Sequence, residues 1–350
     1  SKLKIEEFTN GKRIINQGEQ GDKLYIIKKG RVDFFVNAKY IRSLNDGEDF
    51  GSRALILPSD KRTASAFANG TVTCYTLTSS VFKSILEKNL YDYFLNKVYL
   101  EDDTMELKDL DNIKELGSGN YGFVNLVRNR KNKQLYAIKA LNTVQIKTEN
   151  LQNCVELEKD VLLKIDHPFI MKMVKYLKSD NYIFFITEYI RGKELWEVIR
   201  DIGLLSKEQT QFYGASTLLA IDHLHKNKVV YRDIKPENIM VTVKGYIKII
   251  DFGTVKEINN KTNTVTGTPH YMAPEVAKGD GYSFEVDMWS IAICMYEFFC
   301  GKLPFGEEYE DPVDIYKAVS NEELVFPKFV HDEDFMELMK KMLNKSPDDR

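Results

Sequence analysis

Apolar residues change their period along the chain. From residue 3 to about 80 they fall in short runs rich in β-branched and aromatic side chains: KLYIIKKG, RVDFFVNAKY and TVTCYTLTS. Gly11, Gly18, Gly21, Gly30 and the turn at Asn45–Gly47 punctuate them. Short strands at this spacing predict a small β-barrel or jelly roll. From Ser80 to about Leu100 the apolar positions Val81, Ile85, Leu86, Leu90, Tyr93, Phe94 and Val98 recur every three or four residues, which predicts a helix. The acidic EDDTMELKD, Glu101–Asp109, reads as a connector. Residues 111–185 alternate strands with one helix, and beyond Ser206 helical patterns dominate, broken by YIKIIDFG. The expectation is an α+β chain of two domains, 1–103 and 111–350, joined by a connector over 104–110.

Length agrees, because 350 residues exceed one ordinary core. Hydrophobic content of 43% and charged content of 29% describe a folded, soluble protein. The net charge of −3, with both signs interspersed, gives no electrostatic case for nucleic acid or an anionic membrane. No apolar run approaches the ~18 residues of a transmembrane segment. The start, SKLKIEEFTN, has no apolar secretory core, and a cytoplasmic location is expected. It also lacks Met, which reads as a segment of a longer protein. Cys74, Cys154, Cys294 and Cys300 form no CxxC and read as reduced thiols.

The chemistry concentrates in a few stretches. VVYRDIKPENIM, Val229–Met240, packs two acids, two strong bases, an Asn and a Pro between apolar ends. Burying so many unpaired ions would be costly, so they need a task other than packing. LGSGNYGFV, Leu116–Val124, has glycines at 117, 119 and 122, with strand-like residues on both sides rather than a strand and then a helix. That favours a hairpin lid whose N–H groups approach phosphates. In YAIKAL, Lys139 lies on an apolar strand and needs a carboxylate; Glu158 on VELEKDVLLKI is the candidate and Glu156, on another helix face, the runner-up. Asp251, after the apolar strand of IKIIDFGTV, and Asn238 offer hard oxygen ligands suited to Mg²⁺ on phosphates. Asp233 is left to accept a hydroxyl proton, and Lys235 to neutralise a transferring γ-phosphate.

YRDxKxxN, DFG and APE (Ala273–Glu275), in this order, resemble the protein-kinase signature set over Leu110–Arg350. The resemblance implies a bilobal kinase fold that stops before the last helices of the large lobe. It implies ATP and Mg²⁺ as cofactors. Gly117, Gly119 and Gly122 resemble the phosphate lid, and Lys139, paired with Glu158, the lysine on the α/β-phosphates. Asp233 resembles the catalytic base, and Asn238 and Asp251 the metal ligands. Thr187 in FFITEYI falls at the gatekeeper position, and Glu188 to Ile190 at the hinge. Val124, Ala137 and Met240 would sandwich adenine in a dry apolar slot. Tyr231 stands where most kinases have His, a variant found in the AGC group.

NTVTGTPHYMAPE places Thr264 where AGC kinases take an activating phosphate, with Arg232 and Lys256 as its cations; otherwise Thr264 is an unmodified loop hydroxyl. Glu194, Glu237 and Glu297 fall where basophilic members hold substrate arginines, or are scattered surface acids. Asp287 in VDMWS resembles the aspartate that anchors the catalytic loop, and Arg350 would pair with Glu275.

The first half has its own resemblance. GEQGDKLYIIKKGRVDFF followed by GEDFGSRALILPSDKRTASAFA resembles the cyclic-nucleotide-binding barrel. Phe50, Gly51, Ala54, Leu55, Arg62, Thr63 and Ala64 match its phosphate cassette. The resemblance implies that Arg62 and loop N–H groups hold the cyclic phosphate and that Thr63 favours guanine. Ser52 replaces the glutamate that bonds the ribose 2′-OH, which leaves the pocket either competent or weakened. About one extra residue before Arg62 makes Lys61 its rival. Arg53 either pairs with one of the acids that end the following helix, Glu101, Asp102 or Asp103, with Asp102 the first choice, or is a solvated surface charge.

A cyclic-nucleotide barrel directly before an AGC-like kinase resembles the cGMP-dependent protein kinases. ELWEVIRDIGLL and GTPHYMAPEVAKGDGY resemble their apicomplexan, Plasmodium-type members. The barrel would be the C-terminal one of the set such enzymes carry. The resemblance implies a monomeric serine/threonine kinase with cGMP as allosteric activator and protein substrates bearing basic residues near the phosphosite. The alternative is a regulatory or scaffolding module with a degenerate nucleotide site and little phosphotransfer.

Overall fold

A computed structural model of the chain describes residues 3–57, 61–85, 95–100, 104–119 and 121–350. It divides into two units, Ser1–Thr104 and Met105–Arg350. In unit 1, strands β1 (Lys4–Phe8), β2 (Arg13–Ile15), β3 (Lys23–Val36), β4 (Lys39–Leu44), β5 (Asp49–Phe50) and β6 (Ser65–Thr78) form one antiparallel sheet. The order is β1-β6-β3-β4, with β2 on β6 and β5 on β3. Alternating apolar positions of β3 and β6 bury Ile27, Val32, Ala66, Val72 and Cys74 in one core.

Three expectations change here. Gly30, read as a turn, lies inside β3 at a bulge, with φ 110° and a register shift between Lys29 and Arg31. A Cβ there would stand 2.6 Å from the Thr71 carbonyl oxygen, so close backbone approach demands glycine. RVDFFVNAKY, read as one strand, breaks at Asn37 and Ala38, whose φ values of 49° and 65° make the β3–β4 hairpin turn. The expected barrel is found as this antiparallel sheet: among the described residues no strand pair joins β4 to β1.

A second cluster, Leu24, Leu55, Ile56, Phe82 and Val98, seats helix α1 (Arg53–Ile56), helix α2 (Ser79–Ile85) and the helical residues 95–100. Leu86, Leu90, Tyr93, Phe94 and the acids Glu101, Asp102 and Asp103 lie outside the described residues.

Unit 2 opens with a five-stranded antiparallel sheet. Its strands are β7 (Leu110–Gly119), β8 (Gly122–Asn129), β9 (Leu135–Asn142), β10 (Met173–Lys178) and β11 (Tyr182–Glu188), in the order β10-β11-β9-β8-β7. Two helices, not the expected one, interrupt it: α3 (Thr143–Thr148) and α4 (Gln152–Lys164). The reason is local, since the Asn142 side chain ends β9 and caps α3 by accepting from Val144 N at 2.9 Å. The rest is mainly helical: α5 (Leu195–Ile202), α6 (Lys207–Lys226), α7 (Pro274–Lys278), α8 (Glu285–Cys300), α9 (Pro312–Asn321) and α10 (Glu333–Met342). Short strands β12 (Gly192–Glu194), β14 (Ile239–Thr242) and β15 (Ile247–Ile249) form one small sheet, and β13 (Val229–Val230) pairs with β16 (Lys256–Glu257). Helix α8 is apolar on almost every face and is buried accordingly, which makes it the spine of this unit.

Candidate active site and nucleotide cassette

Strands β7 and β8 form a hairpin whose tip pairs Gly119 with Gly122, with Gly117 opposite Val124. Gly122 lies so close to β9 that a Cβ would stand 1.8 Å from the Ala140 carbonyl oxygen, whereas the Cβ positions of Gly117 and Gly119 face open space. Val124 pairs in turn with Lys139 on β9. Helix α4 carries Glu158, buried at 3% exposure, and the Lys139 ammonium meets its Oε1 at 2.8 Å. Glu156 points elsewhere and pairs with Lys159. Asp251 Oδ1 is 3.5 Å from the same ammonium. Burial alone would lower the Lys139 pKa, but the two carboxylates outweigh it and hold the ammonium above its usual value.

The Val229–Met240 segment is held by the large helix α8 and its neighbours. Asp287 on α8 is fully buried; it accepts from Tyr231 N at 2.9 Å and Arg232 N at 2.8 Å and faces His225 Nε2 at 2.7 Å. Three partners satisfy a buried carboxylate and fix the loop that follows. Tyr231 is buried with its ring edge-on to Phe252, and its hydroxyl faces the carbonyls of Ile250 and Asp251, joining this loop to the DFG segment. Asp233 accepts from Asn238 Nδ2 at 2.9 Å through one carboxylate oxygen and from the Thr268 hydroxyl at 2.7 Å through the other. Lys235 Nζ lies 3.1 Å from Asp233 and donates to Thr268 at 2.9 Å. Thr268 was missed by sequence reasoning; its only signal was a hydroxyl in the GTPHYMAPE run. Asn238 commits its Nδ2 to Asp233, so its amide oxygen is turned away from that carboxylate.

In unit 1 the cassette lies on α1 and its flanks. Arg62 points inward at 9% exposure and Lys61 outward, bridged to Gln20. The Arg62 guanidinium donates to Gly51 O and Lys23 O, each at 2.7 Å. Burial lowers its pKa. Gly51 takes φ 85°; Ser52 and Arg53 are half-buried at the start of α1, Ala54 lies within it, and Thr63 is exposed. Asp102, the expected partner of Arg53, lies outside the described residues.

The protein kinase domain family model matches residues 110–350. The chain belongs to the protein kinase family. Ahead of the kinase domain, the cyclic nucleotide-binding domain model matches residues 5–89. Over 349 residues, 99% of this chain, it is 40% identical to the cGMP-dependent protein kinase of Plasmodium berghei and covers 41% of that protein. The cGMP-dependent protein kinase of Toxoplasma gondii is 39% identical over 99% of the chain, which covers 35% of it. Human cGMP-dependent protein kinase 2 is 31% identical over 87% of the chain, which covers 46% of it. The chain therefore spans less than half the length of these relatives.

The kinase domain brings its other expected residues to recognisable places. Thr187 is buried on β11, opposite Ala137, and Val124, Ala137, Ile190 and Met240 are half-buried. The Glu188 carboxylate accepts from Lys248 Nζ at 2.6 Å and Lys172 N at 2.9 Å, a clasp that the sequence did not suggest. Glu237 acts electrostatically on both Glu194 and Glu297. Burial first, then Glu197 and Glu237, raises the Glu194 pKa. Burial pushes the Glu297 carboxyl up to about 7, against the Tyr271 hydroxyl, which donates at 2.8 Å; Glu237 adds to the rise. One Glu237 oxygen is buried without a hydrogen-bond partner. Lys256 Nζ donates to the Thr264 hydroxyl at 3.1 Å, and the Tyr282 hydroxyl donates to the Thr264 carbonyl at 2.5 Å. Arg232 reaches Tyr282 Oη at 3.3 Å, so of the two expected cations Lys256 touches Thr264 directly and Arg232 is linked to it through Tyr282. Arg350 forms a two-pronged pair with Glu275, both contacts at 2.6 Å. Among the described residues no helix is long and apolar enough to cross a membrane.

Proposed function

We propose that this chain is the cyclic-nucleotide-regulated catalytic part of a cGMP-activated serine/threonine kinase located in the cytoplasm. Unit 2 transfers the γ-phosphate of ATP to a substrate hydroxyl, and unit 1 holds cGMP as allosteric activator. The observation that carries the reading is the convergence of Lys235, Asn238 and Thr268 on Asp233, each within hydrogen-bond reach of its carboxylate, with Lys139, Glu158 and Asp251 as a second ion cluster.

Asp233 accepts the hydroxyl proton of the substrate; Asn238 and Thr268 orient its two oxygens, one each. Lys235 offsets charge on the transferring phosphoryl group, and Lys139, fixed by Glu158, holds the phosphates that remain. The β7–β8 hairpin covers them. The outward amide oxygen of Asn238 and the half-exposed Asp251 carboxylate fit the hard-oxygen demand of Mg²⁺, which would neutralise phosphate charge. Glu194, Glu237 and Glu297 select basic residues near the phosphosite, and the pairs around Thr264 suit an activating phosphate there.

The test is phosphotransfer to an Arg-rich peptide with and without cGMP. Turnover that rises with cGMP is expected. Nucleotide binding without turnover in either condition would favour a scaffolding module instead.

A further inference from the structure

We infer that Gly21 is a positioning residue for the anion-binding arginine of unit 1. The inference rests on reading Arg62 as the phosphate ligand. Arg62 is anchored by its backbone as well as its side chain: its N–H donates to Glu19 O at 2.8 Å, and its carbonyl accepts from Gly18 N at 2.8 Å. This ties the loop of residues 18–21 to the arginine. The guanidinium then lies flat over Gly21, where a Cβ would stand 2.1 Å from Nε and 2.2 Å from Cζ. No side chain fits in that space while the guanidinium occupies it.

The backbone gives no other reason for glycine at this position. Gly21 is not among the residues with positive φ, so alanine meets no strain from its own conformation. Gly51 differs: a Cβ there would meet Arg62 Nη1 at 2.6 Å, but its φ of 85° also demands glycine, which confounds any substitution. At Gly21 the three nearest atoms all belong to the end of one flexible side chain, that of Arg62. Alanine there evicts the guanidinium from its seat and spares the strands. The seat has a further property. Its two side-chain hydrogen bonds go to carbonyl oxygens, Gly51 O and Lys23 O. Neutral acceptors make its hydrogen bonds, and Asp22 acts on it only electrostatically, so the guanidinium is fixed without a hydrogen-bonded carboxylate to cancel its charge.

Calorimetric titration of cGMP into the full chain, with Gly21→Ala, Arg62→Ala and the double variant, tests this. Gly21→Ala should weaken cGMP binding roughly 10- to 100-fold, the scale of charge-assisted hydrogen bonds lost. In the Arg62→Ala background the same change should shift affinity by less than about twofold, because residues acting through one contact are not additive. Wild-type affinity in Gly21→Ala, or losses that add in the double variant, overturns the inference. If Gly21→Ala fails to fold, a folded double variant upholds the clash with Arg62, and an unfolded one overturns it. A wild-type chain that binds no cGMP fails the ligand reading itself, and the inference falls with it.

Discussion

Each unit holds a cation proposed to meet phosphate, and the two are held in different ways. Lys139 faces carboxylates, at 2.8 Å from Glu158 and 3.5 Å from Asp251. Arg62 faces carbonyls, both at 2.7 Å. A carboxylate positions a cation and also neutralises it; a carbonyl only positions it. The proposed ligands explain the difference. Metal-bound ATP would bring positive charge of its own, so a lysine already paired with carboxylates suffices to orient it. A cyclic phosphate carries one charge and no metal, so the buried arginine is held by carbonyls, with Asp22 acting on it only electrostatically.

The comparison breaks most visibly at the reacting centre. Asp233→Asn should lower kcat by roughly 10²–10⁴-fold and leave cGMP binding by unit 1 unchanged. Phosphotransfer kinetics beside cGMP titration check both halves, and near wild-type kcat would remove Asp233 from its role. Glu158→Gln tests the ion-pair side: losing a charge-assisted contact on Lys139 should cut kcat/KM for ATP about 10- to 100-fold. An unchanged value would mean that Asp251 alone sets the lysine.

A smaller effect follows from Glu297. Its raised pKa of about 7 means that the carboxyl gains a proton as pH falls through neutrality. The acidic cluster then loses a charge, and KM for an Arg-rich peptide should rise about three- to tenfold from pH 8 to pH 6. Glu297→Gln should flatten that dependence, while KM for ATP stays level in both forms. The smallest change is expected at Thr63, whose exposed side chain is available to a ligand. Thr63→Ala should narrow the preference for cGMP over cAMP by about two- to tenfold, the scale of one neutral hydrogen bond. Equal selectivity in competition binding would detach Thr63 from base recognition.

Much of the kinase-like site was legible because its residues lie in short runs whose charges make no sense as packing. YRDIKPEN and DFG are such runs, and the structure brings Asp233, Lys235 and Asn238 together. The fold was legible to the level of strands and helices, and less so at their ends. Gly30 carries a turn residue's signal, yet a bulge in a long strand needs the same conformation. Asn142 caps a helix with a side chain that the strand pattern alone cannot tell from a turn. Lys61 and Arg62 are adjacent in the segment before β6, where only the isolated bridge of Lys61 to Gln20 and the backbone bonds of Arg62 to Gly18 and Glu19 decide which of the two is buried.

By itself the sequence determined which residue types could do chemistry, and the order in which the two units follow one another. Periodicity and charge are local properties, and both are written in the chain. Only the tertiary structure decided which partners each group meets. Glu158 rather than Glu156 takes Lys139, Thr268 joins Asp233 across 35 residues, and Arg62 lies over Gly21. Those choices depend on helix facing, strand register and contacts between residues distant in sequence, where a rotation of one residue exchanges a buried ion partner for a solvated one.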